Sequence, residues 1–321
     1  MATMNSNNDH NASRPLLKPG GTIGIAAPAS GADHGALQNA TTWLQSKGYS
    51  VREADNVYTQ DRYLAGNDET RAAAMMELFS DPAIDAIFTA RGAYGSMRIL
   101  DKIDYDLIAG NPKPFIGFSD TTSLQLAILS SAGLVSYSGM ALATDFEQTE
   151  PHPATAASLW ALLQGKPLQI EGMTTVHEGE TTGPLIGGCL SLITTLLGTP
   201  FLPDMEGALL FLEDVGEEPY HVDRMLTHLR LSGTFDKVGA VLLGTFSKCV
   251  ARNPRDGVVE DVLKGIADWT DAPVVTGLPY GHHQGRHILP IGEQVGLTAH
   301  ADGSATLTIP GGSPASATAV Q

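Results

Sequence analysis

Three short stretches of this chain hold side chains that can do chemistry. In "PFIGFSDTTSLQLAIL", residues 114–129, an apolar run stops at Ser119-Asp120 and apolar residues then return at helical spacing. A strand-turn-helix corner projects a side chain above the sheet and aims helix N–H groups at the same point. Those N–H groups can hold a developing oxyanion, so Ser119 is a candidate nucleophile. The nucleophile-elbow pattern G-x-S-x-G is incomplete here, because Gly117-Phe118-Ser119-Asp120-Thr121 lacks the second glycine. Taken alone, the stretch reads better as a helix cap, a place where Ser and Asp are common.

The second stretch is "FLEDVGEEPYHVDRML", 211–226, where the apolar run "ALLFL" ends in Glu213-Asp214. An acid at a strand end can orient a histidine and stabilise its protonated form. It can equally be solvated, and Glu217, Glu218 and Asp223 fit that reading or face Arg224 and the helix start. The third stretch is "GLPYGHHQGRH", 277–287, in a loop after the strand "APVVTG". His282 is a candidate base, since imidazole titrates near neutral pH. His282, His283 and His287 also raise the question of a metal. Pro279, Gly281 and Gly285 oppose a helix, so the i, i+4 face of an H-E-x-x-H zinc site is missing, and no acid lies among the histidines. His283 and His287 read as ordinary loop residues.

Other candidates carry less. Cys189 in "IGGCLSL" can be a thiol nucleophile or a small buried residue, and free cysteines more often belong to an inert core. No G-x-x-x-x-G-K-[ST] is present, and "GTIGIAAPASG" spaces its glycines wrongly for a dinucleotide fingerprint. Tyr94, Arg98, Trp43, Trp160 and Trp269 show no spacing that singles them out.

The elements that must position these residues follow from periodicity. Between Thr22 and about Ser138, strand-like and helix-like segments alternate: "TIGIAAP", "HGALQNATTWLQSKG", "SVREA", "DETRAAAMMELFSD", "AIDAIFTA", "SMRILDKI", "PFIGF" and "TTSLQLAILSSAG". That alternation predicts an α/β fold, a parallel sheet covered on both faces, and we read 17–146 as a Rossmann-like N-terminal domain. Ligands of such sheets bind at the carboxyl ends of strands, where Ser119 and the "RGAYG" loop (Arg91 to Gly95) fall. Residues 147–182 read as a linker with one helix, 154–164, followed by polar strand-like pieces. Residues 183–311 read as a smaller, β-rich mixed α/β C-terminal domain that closes in a hairpin turned at Asp302-Gly303. Residues 1–16 and 312–321 read as disordered tails.

Bulk properties exclude several function classes. The net charge is −16 over 321 residues, which disfavours a nucleic-acid binder, since that class needs a basic surface to neutralise phosphates. No apolar run approaches the roughly 18 residues of a membrane span, and "MATMNSNNDHNASRP" has no apolar signal core. Two cysteines make no disulfide framework. A cytoplasmic protein fits.

Together these stretches resemble the LD-carboxypeptidase family of serine peptidases, also called muramoyltetrapeptide carboxypeptidases. The resemblance runs from about Gly21 to Ile309. It is carried by "IAAPAS" (25–30), "YLAGNDETRAAAMMELFSDP" (63–82), "ARGAYGSMRIL" (90–100), "IGFSDTTSL" (116–124), "SGMALATDF" (138–146), "PLIGGCLSLITTLLGTPF" (184–201), "LFLEDVGEEPYHVDRMLTHL" (210–229) and "TGLPYGHHQGRHILPIG" (276–292). It implies a triad of Ser119 as nucleophile, His282 as base and acid, and Glu213 as orienting partner. It implies an oxyanion hole from the backbone of Asp120 and of the RGAYG loop at Gly92 or Ala93. Ala93 stands where the family usually has glycine, and the family often has Asn at Cys189. Arg91 and Tyr94 are candidates to meet the substrate.

The resemblance further implies a cleft site between domains, no cofactor, no metal and a homodimer. The expected reaction is removal of the terminal D-Ala from a murein tetrapeptide, in cell-wall peptide recycling. The related microcin C immunity hydrolases share the triad and cleave a peptidyl-nucleotide, though "GTPFLPDMEG" and "GHHQ" look more like the murein branch. A non-catalytic muropeptide-binding module is the third expectation, because fold alone never proves catalysis.

Overall fold

The computed structural model describes residues 16–312. The two tails expected from the sequence lie outside the described residues, except for Leu16 and Gly312. Gly312 is tied down, its amide donating to the Gly165 carbonyl.

Five short strands open the chain: β1 (Thr22–Ala26), β2 (Ser50–Glu53), β3 (Ala86–Thr89), β4 (Phe115–Gly117) and β5 (Ser136–Ser138). Five more follow: β6 (Leu168–His177), β7 (Gly179–Cys189), β8 (Leu209–Val215), β9 (Ala240–Ser247) and β10 (Val274–Gly281). The last three are β11 (Leu289–Ile291), β12 (Gln294–Ala299) and β13 (Ser304–Ile309).

The first five strands pair in parallel in the order β2-β1-β3-β4-β5. β3 and β4 are buried throughout, as parallel strands covered on both faces must be. The crossover helices carry clear end signals. Asp33 caps His34–Ser46 by accepting from the Gly35 and Ala36 amides. Asn67 caps Asp68–Ser80 by accepting from the Thr70 amide. Gly133 ends Thr122–Ala132 at φ +61°, a conformation glycine adopts without a Cβ penalty. The segment "SMRILDKI", expected to be helical, forms a tight 3₁₀ helix, Ser96–Lys102.

The second body is a closed barrel in the order β10-β6-β13-β12-β7-β8-β9, sealed by pairing of β9 with β10. Closure leaves no open strand edge. β7 through β10 run parallel, so the carboxyl ends of β8 and β10 share one rim. The hairpin turned at Asp302-Gly303 is β12–β13, in antiparallel register from Gly296↔Thr308 to Ala299↔Ala305.

Two features depart from a simple division at a linker. The stretch 147–182 does hold a helix, Pro153–Leu163, but the polar pieces after it are β6 and the start of β7, two staves of the barrel. Alternating burial along β6 shows why they read as linker: one face is solvated, so polar residues outnumber apolar ones. The short strand β11, late in the chain, leaves the barrel and pairs antiparallel with β5 at the edge of the first sheet. The helix Thr122–Ala132 lies where the bodies meet, against the first sheet on one side and β7 on the other. This explains why it is buried almost all round, from Thr122 through Ile128.

Candidate active site

The site begins where β4 ends. Phe118 is extended, with φ −161° and ψ 156°, and Ser119 then turns to φ +64°. A non-glycine residue in that region costs of order 1–3 kcal/mol and persists only where its surroundings hold it. The strain places the serine hydroxyl outside the helix. Ser119 makes no capping bond, and its Oγ lies 3.0 Å from Nε2 of His282. Thr121, standing where the elbow pattern has its second glycine, is wholly buried and donates its hydroxyl to the Phe118 carbonyl. Gly117 is required for this fit, because a Cβ there would collide with the Thr121 hydroxyl.

Asp120 does not cap the helix either. Its carboxylate, 3 % exposed, accepts from the amides of Gly95 (3.2 Å) and Ser96 (2.8 Å), and its carbonyl accepts from the Ser96 hydroxyl. These bonds tie the RGAYG loop to the elbow. Burial pushes the Asp120 carboxyl above its ordinary value, and the bonds from Ser96 and Gly95 oppose the shift. Gly92 packs against the same corner: a Cβ there would sit 2.9 Å from the Phe118 carbonyl oxygen and 3.1 Å from the Ser119 Cβ. Ala93 adopts φ +74°, so the residue that replaces the family's glycine holds a glycine-type conformation. The amides of Gly92 and Ala93 donate to no group among the described residues.

Arg71, wholly buried, braces this loop. It donates to the Pro28 and Gly95 carbonyls and pairs with Asp68, which also takes two bonds from Arg98. Its only sequence signal was an arginine at a helix position that turns out to be a core position.

The barrel supplies the other groups. Glu213 lies on β8 where pairing with β9 slips between Leu212 and Asp214. His282 directly follows β10, whose register with β9 also slips between Thr276 and Gly281. Such irregularities bend a strand and re-aim its side chains. Here they coincide with an acid and a histidine whose side chains meet, Glu213 Oε2 lying 2.7 Å from His282 Nδ1. Glu213 is fully buried and His282 keeps 19 % of its side chain exposed. Burial raises the Glu213 carboxyl above its usual value, offset in part by the hydrogen bond and charge of His282. Serine, imidazole and carboxylate thus form one hydrogen-bonded chain, a geometry able to pass a proton from a hydroxyl to a base held in one orientation.

The remaining candidates fall apart. The Cys189 thiol is buried against Asp214 and Ser191, and burial together with Glu213 and Asp214 holds it far above its ordinary pKa, so it stays protonated. His283 turns its Nδ1 to the Gln284 carbonyl, and the His287 amide donates to Pro279. Among the described residues, no group of three or more His, Cys, Asp or Glu is placed to hold a metal ion. No helix among them is long and apolar enough to cross a membrane. Arg91 is exposed and lines a depression of about 510 Å³ with Asp33, Asn39, Thr144 and Glu147, which includes none of Ser119, Glu213 and His282. Tyr94 is 50 % exposed and meets Tyr63 edge-to-face.

Known proteins share this architecture along nearly the full chain. A probable murein peptide carboxypeptidase of Bacillus subtilis is 37 % identical over 286 residues, covering 88 % of this chain and 90 % of that protein. The crystal structure of muramoyltetrapeptide carboxypeptidase from Oxalobacter formigenes superposes with a TM-score of 0.82 at 32 % identity, covering 90 % of this chain and 98 % of that one. The Escherichia coli microcin self-immunity protein MccF is 28 % identical, over 89 % of this chain and 94 % of its own length. Residues 23–139 match the LD-carboxypeptidase N-terminal domain and residues 182–297 match the C-terminal domain. With both halves matched in order, one holding the strained serine and the other its histidine and glutamate, the chain belongs to the LD-carboxypeptidase family of serine peptidases.

Proposed function

We propose that the protein removes the terminal D-Ala from murein tetrapeptides, cutting between the L-centre of a diamino acid and D-Ala. The observation that carries this reading is the Ser119–His282–Glu213 chain at a strained elbow, in a family whose relatives are named for murein peptides. Ser119 Oγ attacks the carbonyl carbon while its proton passes to His282 Nε2. The negative charge on the tetrahedral oxygen is taken by the amides of Asp120 and of Gly92 or Ala93. The C–N bond then breaks, and the D-Ala nitrogen leaves with the proton from His282. Water attacks the acyl ester, again giving its proton to His282, which returns it to Ser119 Oγ as the new carboxylate departs. Glu213 stays ionised and stabilises the imidazolium. We assign the substrate's terminal carboxylate to Arg91 or to backbone donors near the pocket, and Tyr94, exposed on the other side of Gly92-Ala93, to a further contact with the substrate.

The reading places the protein in the cytoplasm, acting on recycled peptides, and as a homodimer by family likeness. Purified protein treated with EDTA is incubated with a synthetic murein tetrapeptide and free D-Ala is assayed, with Ser119→Ala alongside. Release that survives EDTA and vanishes in the variant supports the reading; no release from wild type sinks it. The MccF likeness supports a second reading, hydrolysis of a peptidyl-nucleotide. Faster turnover of an aminoacyl-nucleotide analogue than of the tetrapeptide would favour that branch.

A further inference from the structure

Arg286 is 4 % exposed, yet every arm of its guanidinium is used. Nε donates to the Gly139 carbonyl at 2.6 Å, and Nη1 to the His283 carbonyl at 3.0 Å. Nη2 reaches both carboxylate oxygens of Asp145 at 2.6 Å. The plane of charge also lies over the Phe118 ring, 4.1 Å from its centroid. Phe118 is the residue before Ser119, and its ring centroid is 4.6 Å from that of His282.

These contacts join groups from both bodies. Asp145 and Gly139 follow β5 of the sheet, whereas Arg286 and His283 follow β10 of the barrel. We propose that Arg286 is a positioning residue that sets the approach of His282 to Ser119. It grips the peptide unit between His283 and Gln284, one residue beyond His282, through the His283 carbonyl, and it holds the Phe118 ring against the imidazole. The inference rests on reading Ser119 as the nucleophile.

Two physical points favour a positioning role over a purely stabilising one. A buried ion pair gains little net stability, because desolvating both charges offsets their attraction. What it supplies is geometry, and the planar fork of arginine fixes several directions at once, which an ammonium cannot do. The groups it aligns are the ones whose separation matters most: a displacement of about 1 Å in a reacting pair can cost roughly 100-fold in rate.

The test compares Arg286→Met, Arg286→Lys and Lys113→Met with wild type. Lys113 is buried at the other end of β4, where its ammonium donates to the Leu78 carbonyl, so it serves as a stability control. Four quantities are read: the thermal midpoint, kcat and KM for D-Ala release, and the rate at which a fluorophosphonate captures Ser119. We expect Arg286→Met to lose about 10- to 100-fold in kcat and in capture rate with KM little changed. Arg286→Lys should lose less, and Lys113→Met should lose stability while keeping kcat. A folded Arg286→Met with wild-type kcat overturns the inference. So does a Lys113→Met whose kcat falls as far for the same drop in midpoint. If Arg286→Met does not fold, Arg286→Lys decides alone: lowered kcat and capture rate support positioning, and unchanged values overturn it. Wild type that is captured yet releases no D-Ala sinks only the proposed reaction, with capture rates still testing Arg286. Wild type neither captured nor active overturns both.

Discussion

At the residue scale, Ala93 and Glu213, like Ser119, hold conformations or charges that cost stability. Ala93 at φ +74° carries a Cβ where glycine carries none. Ala93→Gly relieves that strain but gains freedom in the unfolded chain, which offsets part of the benefit. The expected net gain is about 1 kcal/mol or less, seen as a thermal midpoint raised by roughly 1–3 °C with activity retained. A lowered midpoint would show that the loop carries no such strain. Glu213 bears the second cost. Its folded carboxyl pKa is raised above the ordinary 4.5, chiefly by burial. A raised carboxyl pKa means that the folded state holds the proton more tightly than the unfolded chain does. Its contribution is therefore most favourable below 4.5 and is lost as pH rises through the folded value. Glutamine does not titrate. Glu213→Gln should gain stability relative to wild type as pH climbs above that point, while kcat falls about 10⁴-fold for want of the charge that supports imidazolium. Urea titrations across pH 4 to 8 measure the first effect; a stability difference flat with pH would contradict it.

At the scale of elements, the site depends on a loop lying flat against a turn. The RGAYG loop touches the elbow at Gly92, where the lack of a side chain lets backbone lie directly on backbone. It touches again at Gly95 and Ser96, through the Asp120 carboxylate. Gly92→Ala places a methyl 2.9 Å from the Phe118 carbonyl oxygen, so loop or elbow must shift by several tenths of an ångström. Because the neighbours are backbone, that shift reaches the amides assigned to the oxyanion. We expect kcat to fall about 10- to 100-fold, up to the lower end of the roughly 100- to 1,000-fold that complete loss of one oxyanion donor produces, with a folded protein by circular dichroism. Full activity in Gly92→Ala would remove this loop from the chemistry. The irregular pairings on β8 and β10 belong to the same scale, because each lies in the strand that presents Glu213 or leads into His282.

At the scale of the whole molecule, catalytic geometry is a matter of how sheet and barrel dock. Besides Arg286, three further contacts hold them beside the site. The Tyr280 hydroxyl and Ser138 Oγ are 2.7 Å apart and both residues are fully buried. The Cys189 amide donates to Thr122 Oγ1, with Gly188 so close that a Cβ would meet the Thr122 side chain at 2.6 Å. Strand β11 crosses to the first sheet and pairs with β5. Tyr280→Phe removes one partner and leaves the Ser138 hydroxyl buried without it. We expect a loss of about 1–3 kcal/mol in unfolding free energy. Denaturant titration monitors it, and a loss below a few tenths of a kcal/mol would mean that this contact does not hold the bodies together.

Much of this was legible from residue order. Alternating apolar and helix-like runs marked the first domain, since periodicity is a local effect. The stretches around Ser119, Glu213 and His282 were visible as strand ends carrying polar groups. Each remained compatible with a cap, a solvated acid or a loop histidine, and resemblance to a family was needed to join them. Tertiary structure alone decided the rest. It brought Ser119 to a histidine 163 residues away and that histidine to a glutamate 69 residues away. It made 168–182 part of a barrel, sent β11 to the other sheet, and buried Arg71 and Arg286 as braces. The reason is physical: propensity and capping act over a few residues, whereas strand closure, register slips and buried charge pairs exist only once distant segments have excluded water together.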